Sequence, residues 1–188
     1  MIRLHILVSI AVLGWGALLA GCTDRAPLTE PASVGSGPYS LGTGDKLRIV
    51  VYDQPNLTNL YEIDASGRVS MPLIGDVSAS GISPDELAKR IEAKLASGYL
   101  KEPNVTVEVA TYRPFFVLGE VGSPGQYTYV PGLTAEMAVA VAGGFTDRAN
   151  KRVVRLSRMV SGKLYESRMP VVEPIRPGDT IYVPESLF

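Results

Sequence analysis

A chain of 188 residues with 18 Lys and Arg against 19 Asp and Glu has a net charge of −1, which leaves no electrostatic footprint for nucleic acid. With 46 % hydrophobic residues it is long enough to bury a core, yet it holds a single histidine, His5, and a single cysteine, Cys22. If the first segment is removed as read below, His5 leaves with it, and Ser-His-Asp systems, Cys-His systems and the usual zinc ligand sets are excluded.

The N-terminus has a basic start, Arg3, followed by the apolar run Ile6 to Ala20 and then Leu18-Leu19-Ala20-Gly21-Cys22. This is the layout of a bacterial secretory signal, and the run is short for a membrane span of about 20 residues with suitable flanks. Ordinary cleavage wants small residues at the third and first positions before the cut, where Leu18 or Leu19 would occupy the third. A Leu three places before a Cys, with two small residues between, is instead the lipoprotein pattern. On that reading residues 1–21 are a signal peptide, the chain is cut between Gly21 and Cys22, and Cys22 carries the acyl chains. With no second cysteine there is no intramolecular disulfide to compete. At about 0.8 kcal/mol per buried CH2, several acyl chains hold a protein to a bilayer essentially permanently. Thr23 rather than an aspartate follows the cysteine, which favours the outer membrane over retention at the inner one.

Residues 22–38 form the lipidated N-terminus and a tether, with Pro27, Pro31, Pro38, Gly35 and Gly37 and little apolar periodicity. Thr23 to Pro38 reaches at most about 50 Å when extended, so the folded body can stand clear of the lipid. The fold class expected beyond it is α+β, in two small mixed modules at 39–112 and 113–188. In the first, Gly42-Thr43-Gly44-Asp45 is a turn, and Leu47, Ile49 and Val51 alternate with Lys46, Arg48 and Val50 as a half-buried strand. Tyr61 to Asp64 and Arg68 to Met71 are expected to pair as a hairpin across Ala65-Ser66-Gly67. Leu73 to Val77 reads as a short strand with a turn inside it. Ser83, Pro84 and Glu86 are the N-cap, first helical residue and capping-box partner of a helix with Leu87, Ile91 and Leu95 on its apolar face, stopped by Gly98. Val105, Val107 and Val109 return to strand.

In the second module Phe115 to Val121 is an apolar strand. Ser123-Pro124-Gly125 has the order of a type II turn, and Tyr127 and Tyr129 continue in strand. Thr134 caps a short helix through Ala142 with Met137, Ala138 and Val141 on one side, ended by Gly143-Gly144. Val153 to Leu156 and Val171-Val172 are strands around a Ser161-Gly162 turn, and Ile175 to Asp179 turns into a closing strand, Thr180 to Val183. One helix across a curled mixed sheet is a β-grasp arrangement. Gly44-Asp45 and Gly178-Asp179 echo each other. Two such aspartates could hold a metal, but with no second carboxylate at ligand spacing the reading adopted is a turn in which Gly takes positive φ and Asp bonds nearby amides.

The same stretches resemble the polysaccharide export lipoproteins of Gram-negative bacteria, the Wza-type outer-membrane family. Tyr39 to Leu47, Gly67 to Gly75 and Val105 to Val109 are similar to its export-sugar domain. Gly119-Glu120-Val121, Pro124 to Tyr127, Ala142-Gly143-Gly144 and Arg176 to Pro184 are similar to its soluble-ligand-binding β-grasp (SLBB) domain. The resemblance implies a homo-oligomeric ring in the periplasm through which a polysaccharide passes. It implies an inner-membrane co-polymerase with a tyrosine kinase as partner, and no catalytic residue, metal or cofactor. Fuller members of that family carry more β-grasp repeats and a C-terminal helix that perforates the outer membrane. Here Pro184 to Phe188 directly follows the closing strand, so a separate outer-membrane pore protein is expected to complete the path.

Two other classes stay in view. A monomeric periplasmic lipoprotein that binds a glycan or a protein would use Tyr127, Tyr129, Tyr165 and Tyr182 for stacking, although tyrosines alternating along strands also serve as half-buried packing. A glycosidase would need two carboxylates facing each other across a cleft, for which Glu62 with Asp64 and Asp85 with Glu86 are the pairs available. Tyr112, Arg113 and Pro114, at the junction of the modules, are expected to serve in packing.

Overall fold

A computed structural model describes residues 39–160 and 162–186. The signal peptide, Gly21, Cys22, the tether, Ser161, Leu187 and Phe188 lie outside the described residues.

Two hydrophobic cores form in succession. The first is built on β1 (Lys46–Val51), whose strict alternation sends Leu47, Ile49 and Val51 inward. β1 is the centre of an antiparallel sheet in the order β2-β1-β5, with β2 (Asn59–Glu62) and β5 (Val105–Thr111) at its sides. A separate two-stranded hairpin, β3 (Arg68–Met71) and β4 (Gly75–Ser78), adds Val69, Met71 and Val77. Helix α1 (Pro84–Ala96) closes the core with Leu87, Ala88, Ile91 and Leu95, the large ones worth about 1.5–3 kcal/mol each on burial. Ser83 Oγ caps it by accepting from Glu86 N at 3.2 Å, while the Glu86 carboxylate turns to Arg90 at 3.0 Å rather than back to the cap.

The second core lies under a five-stranded mixed sheet in the order β7-β6-β10-β8-β9. Its strands are β6 (Phe115–Gly119), β7 (Gly125–Tyr127), β8 (Val153–Val160), β9 (Lys163–Pro170) and β10 (Thr180–Val183). Among the described residues only the β6–β10 pair is parallel. Helix α2 (Ala135–Val141) packs on one face through Ala135, Ala138 and Val139. Thr134 caps its start, and its end is a Schellman closure, with Gly144 N donating to Val139 O and Gly143 N to Ala140 O, both glycines at positive φ.

Five local expectations change. Tyr129 does not continue in strand: β7 ends at Tyr127, and the Tyr129 hydroxyl donates to Ile175 O. β2 and β3 do not pair: Asp64 N still donates to Arg68 O across the turn, but β2 joins β1 and β3 joins β4, so the hairpin is the next one along. Gly125 is a strand residue and not among the positive-φ glycines, so there is no type II turn at Pro124-Gly125. The strand partnered with β8 ends at Pro170, and Val171-Val172 is already in the turn beyond it. On α2 the inward side is Ala135, Ala138 and Val139, while Met137 and Val141 are 54 % and 58 % exposed on the other side of the helix.

Candidate functional site

The two Gly-Asp turns are built alike. Gly44 and Gly178 sit at φ +87° and +84°, and the aspartate after each is fully buried. Asp45 Oδ2 accepts from Gly42 N at 2.8 Å, and Asp179 Oδ2 accepts from Arg176 N at 2.6 Å, in each case the amide three residues back. Each carboxylate also meets an arginine. Asp179 takes Arg158 Nε and Nη2 at 2.7 Å each, a bidentate pair held inside the second core. Asp45 takes Arg113 N at 2.9 Å and Arg113 Nη1 at 3.1 Å, together with the Tyr39 hydroxyl at 2.5 Å. Four donors on two carboxylate oxygens fill Asp45, and a guanidinium already supplies the compensating cation, so neither the geometry nor the charge leaves room for a metal there.

The sequence offered no hint of Arg158 as a partner beyond one weak sign: it falls on the inward register of β8 with Val154 and Leu156, where an apolar residue is expected.

Arg113 is the residue that joins the modules. A Cβ placed on Gly42 would lie 2.3 Å from its Nη1, and one on Gly178 would lie 2.8 Å from its Nε, so the side chain is threaded between a turn of the first module and a turn of the second. Gly178 N donates to Pro114 O at 3.0 Å, fixing the strap from the far side. Tyr112 stands edge-on between Tyr39 and Tyr129, with centroids 5.0 and 5.5 Å away. Burial first, and then the bond to Asp45, push the Tyr39 hydroxyl far above the ordinary tyrosine range. It therefore stays protonated, donating to Asp45 while accepting from Arg113 Nη1 at 2.9 Å. The packing role expected of Tyr112, Arg113 and Pro114 is thus met within the chain, as a polar and aromatic rivet between two cores.

The carboxylates weighed for catalysis sit in structural work. Asp64 Oδ1 accepts from Ser66 N, Ser66 Oγ and Arg68 N, and the Ser66 hydroxyl first, then the Arg68 amide, hold its carboxyl below the usual range. Glu62 is exposed at the end of β2. Asp85 and Glu86 occupy the first turn of α1, where acids suit the helix dipole, and Glu86 pairs with Arg90.

The four tyrosines do not share a surface. Tyr127 lies against Phe115 and bonds Ser123 O, Tyr129 bonds Ile175 O at 3.3 Å, and Tyr165 is opposite Arg158 on the helix side of the sheet. Tyr182 alone of the four faces outward on the other side, in register with Leu118.

Among the described residues three exposed non-glycine residues, Asp53, Leu73 and Glu102, sit at positive φ, and Leu73 is the apolar one. At the tip of the β3–β4 hairpin Ile74 N donates to Pro72 O at 2.9 Å, a γ-turn with Leu73 at its centre at φ +70° and 56 % exposed. A leucine there is both conformationally costly and apolar in water.

The family pattern of polysaccharide biosynthesis/export proteins matches residues 34–110, and that of the SLBB domain matches residues 114–172. The exopolysaccharide production protein ExoF of Rhizobium meliloti is 34 % identical over 201 residues, covering 92 % of this chain and 48 % of that protein. The EPS I polysaccharide export outer membrane protein EpsA of Ralstonia nicotianae is 32 % identical over 197 residues, covering 85 % of this chain and 50 % of its own. The polysialic acid transport protein KpsD of Escherichia coli is 27 % identical over 99 residues, 51 % of this chain and 18 % of that protein. The chain spans about half the length of the first two of these.

Proposed function

The chain belongs to the polysaccharide export protein family, and from that premise we propose that it is a section of a polysaccharide export conduit, anchored through Cys22 in the outer membrane with its body in the periplasm. Residues 39–112 act as the export-sugar domain and residues 113–188 as the SLBB domain. Copies pack side by side into a ring around a polar passage, in register with an inner-membrane co-polymerase and kinase, and an outer-membrane pore protein completes the path. The mechanism is geometric and not catalytic: a lumen that conducts a polymer has to hold each sugar weakly enough to release it.

The observation that carries the reading is that both matched domains follow one another in family order and are riveted together by Arg113, Asp45 and the Tyr39–Tyr112–Tyr129 stack. A ring of separately swinging modules would not close on a fixed bore, because closure needs the same rotation at every head-to-tail contact. Imaging of the detergent-extracted lipoprotein tests it: closed rings are expected, and a protein that stays monomeric at high concentration would refute it. In cells, Cys22→Ser is expected to abolish anchoring and reduce surface polysaccharide.

A further inference from the structure

The face of the second sheet turned away from α2 carries a row of four side chains in direct register across four strands: Leu118 on β6, Tyr182 on β10, Arg155 on β8 and Arg168 on β9. The Arg155 guanidinium lies over the Tyr182 ring, 4.4 Å from its centroid. Arg155 and Arg168 are cross-strand neighbours of the same sign, an arrangement that destabilises a sheet. Neither has a carboxylate partner among the described residues, and nor have Arg48, Arg152 and Arg176, whereas Arg68, Arg90, Arg113, Arg148 and Arg158 each meet one. Tyr182, Arg155 and Arg168 of this row line a groove of about 540 Å³ together with Asn150, Pro170 and Pro184, a size common to small-molecule sites. Asn150, which lines the groove, spends its side-chain oxygen on the amides of Arg152 and Val153, so the amide nitrogen is the donor it has left. Glu185 also lines the groove, with its charge offset by Arg148 at 3.5 Å.

We propose that this groove binds a carboxylate-bearing sugar unit, so that the polymer this chain handles is an acidic polysaccharide. The two guanidiniums offer parallel N–H donors of the geometry a carboxylate accepts. The two prolines supply apolar surface for the C–H face of a pyranose ring, Tyr182 holds Arg155 in place across its own ring, and the Asn150 amide reaches a ring hydroxyl. An incoming carboxylate also relieves the repulsion between the arginines, so ligand and sheet stabilise each other. Because the groove is open, the affinity is in the millimolar range, as a transit site requires. The inference rests on the export reading for its biological sense but not for its chemistry.

Saturation-transfer NMR on the full chain in detergent, with trigalacturonate as the acidic probe and maltotriose as the neutral one, tests it. Trigalacturonate is expected to bind at millimolar concentration and maltotriose at least tenfold more weakly. Arg168→Gln is expected to weaken trigalacturonate at least tenfold without loss of thermal stability, and Arg168→Lys to restore part of it. Equal binding of both probes, or an Arg168→Gln protein that folds and binds trigalacturonate as before, overturns the site. So does a result in which Arg155→Gln and Arg168→Gln abolish self-association while trigalacturonate never binds, since the row is then an interface between copies. Imaging the same sample separates the two readings: rings without binding refute this site alone, and binding without rings refutes the conduit alone.

Discussion

Arg113→Ala is the sharpest test of the junction. The substitution keeps the backbone N–H that donates to Asp45 Oδ1, and Asp45 also keeps Gly42 N and the Tyr39 hydroxyl, so what is lost is the guanidinium, with its bonds to Asp45 at 3.1 Å and to the Tyr39 hydroxyl at 2.9 Å. Breaking a fully buried pair from one side costs about 3–5 kcal/mol, and an exposed pair is worth about 1 kcal/mol or less. Asp45 is fully buried and the Arg113 side chain is 26 % exposed, which places the cost between these limits, at about 2–3 kcal/mol. For a chain of this size about 2–4 °C accompanies each kcal/mol, so the melting temperature should fall by about 4–12 °C. Urea unfolding of the purified chain measures the free energy, with Asp45→Asn and the double variant completing a cycle. Because Asp45→Asn removes the charge that Arg113 neutralises, the double variant should lose about 1–2 kcal/mol less than the sum of the singles. A single-variant loss under about 0.5 kcal/mol, or additivity within that margin, would mean that Arg113 does not hold the modules together.

Gly119→Ala should cost about 2–5 kcal/mol by calorimetry, since Gly119 is at φ +86° and a Cβ there would lie 2.2 Å from Val183 O; a melting temperature unchanged from the parent refutes the close approach. Leu73→Gly should leave the isolated chain as stable as before or more so by about 1 kcal/mol, while reducing the fraction of particles in rings, and intact ring formation would show that the tip is not a contact. Asp64 has its carboxyl held low by Ser66 and Arg68, so its contribution is present above the unfolded value near about pH 4 and is lost as pH falls through the lower folded value. Asp64→Asn should therefore flatten the stability profile at the acid end, and an unaltered acid limb would count against the turn.

What the sequence made legible was whatever is settled within a few residues. The caps Ser83 and Thr134, the Gly143-Gly144 closure, the alternations of β1 and β5 and the inward face of α1 all follow from local chemistry and periodicity. Pairing between strands was less legible, because the Asp64–Arg68 turn satisfies its own hydrogen bonds and says nothing about whether the chain beyond it stays paired. The face of α2 was misread for a related reason: a seven-residue helix with apolar residues all round has no clear apolar stripe, so which side turns inward, here Ala135, Ala138 and Val139, is decided by tertiary packing. The export family was legible from motifs spread across both modules, whereas the Arg155–Arg168 row was not, since it depends on the register of β8 with β9.

The echo between Gly44-Asp45 and Gly178-Asp179 shows how one turn serves two purposes. In both, a buried carboxylate ties down the amide three residues earlier and starts a core strand. The second module supplies the neutralising arginine from its own β8, so that turn is complete within one core. The first module borrows Arg113 from the first residues beyond its last strand, and that arginine is positioned by Gly178 and by the Pro114 carbonyl. A buried charge without its partner is expensive, so the stability of the first module depends on the docking of the second, while the reverse dependence is weaker. The arrangement makes misalignment of the modules costly in the one element both must share, which is the property a subunit needs if identical copies are to meet at identical angles around a passage.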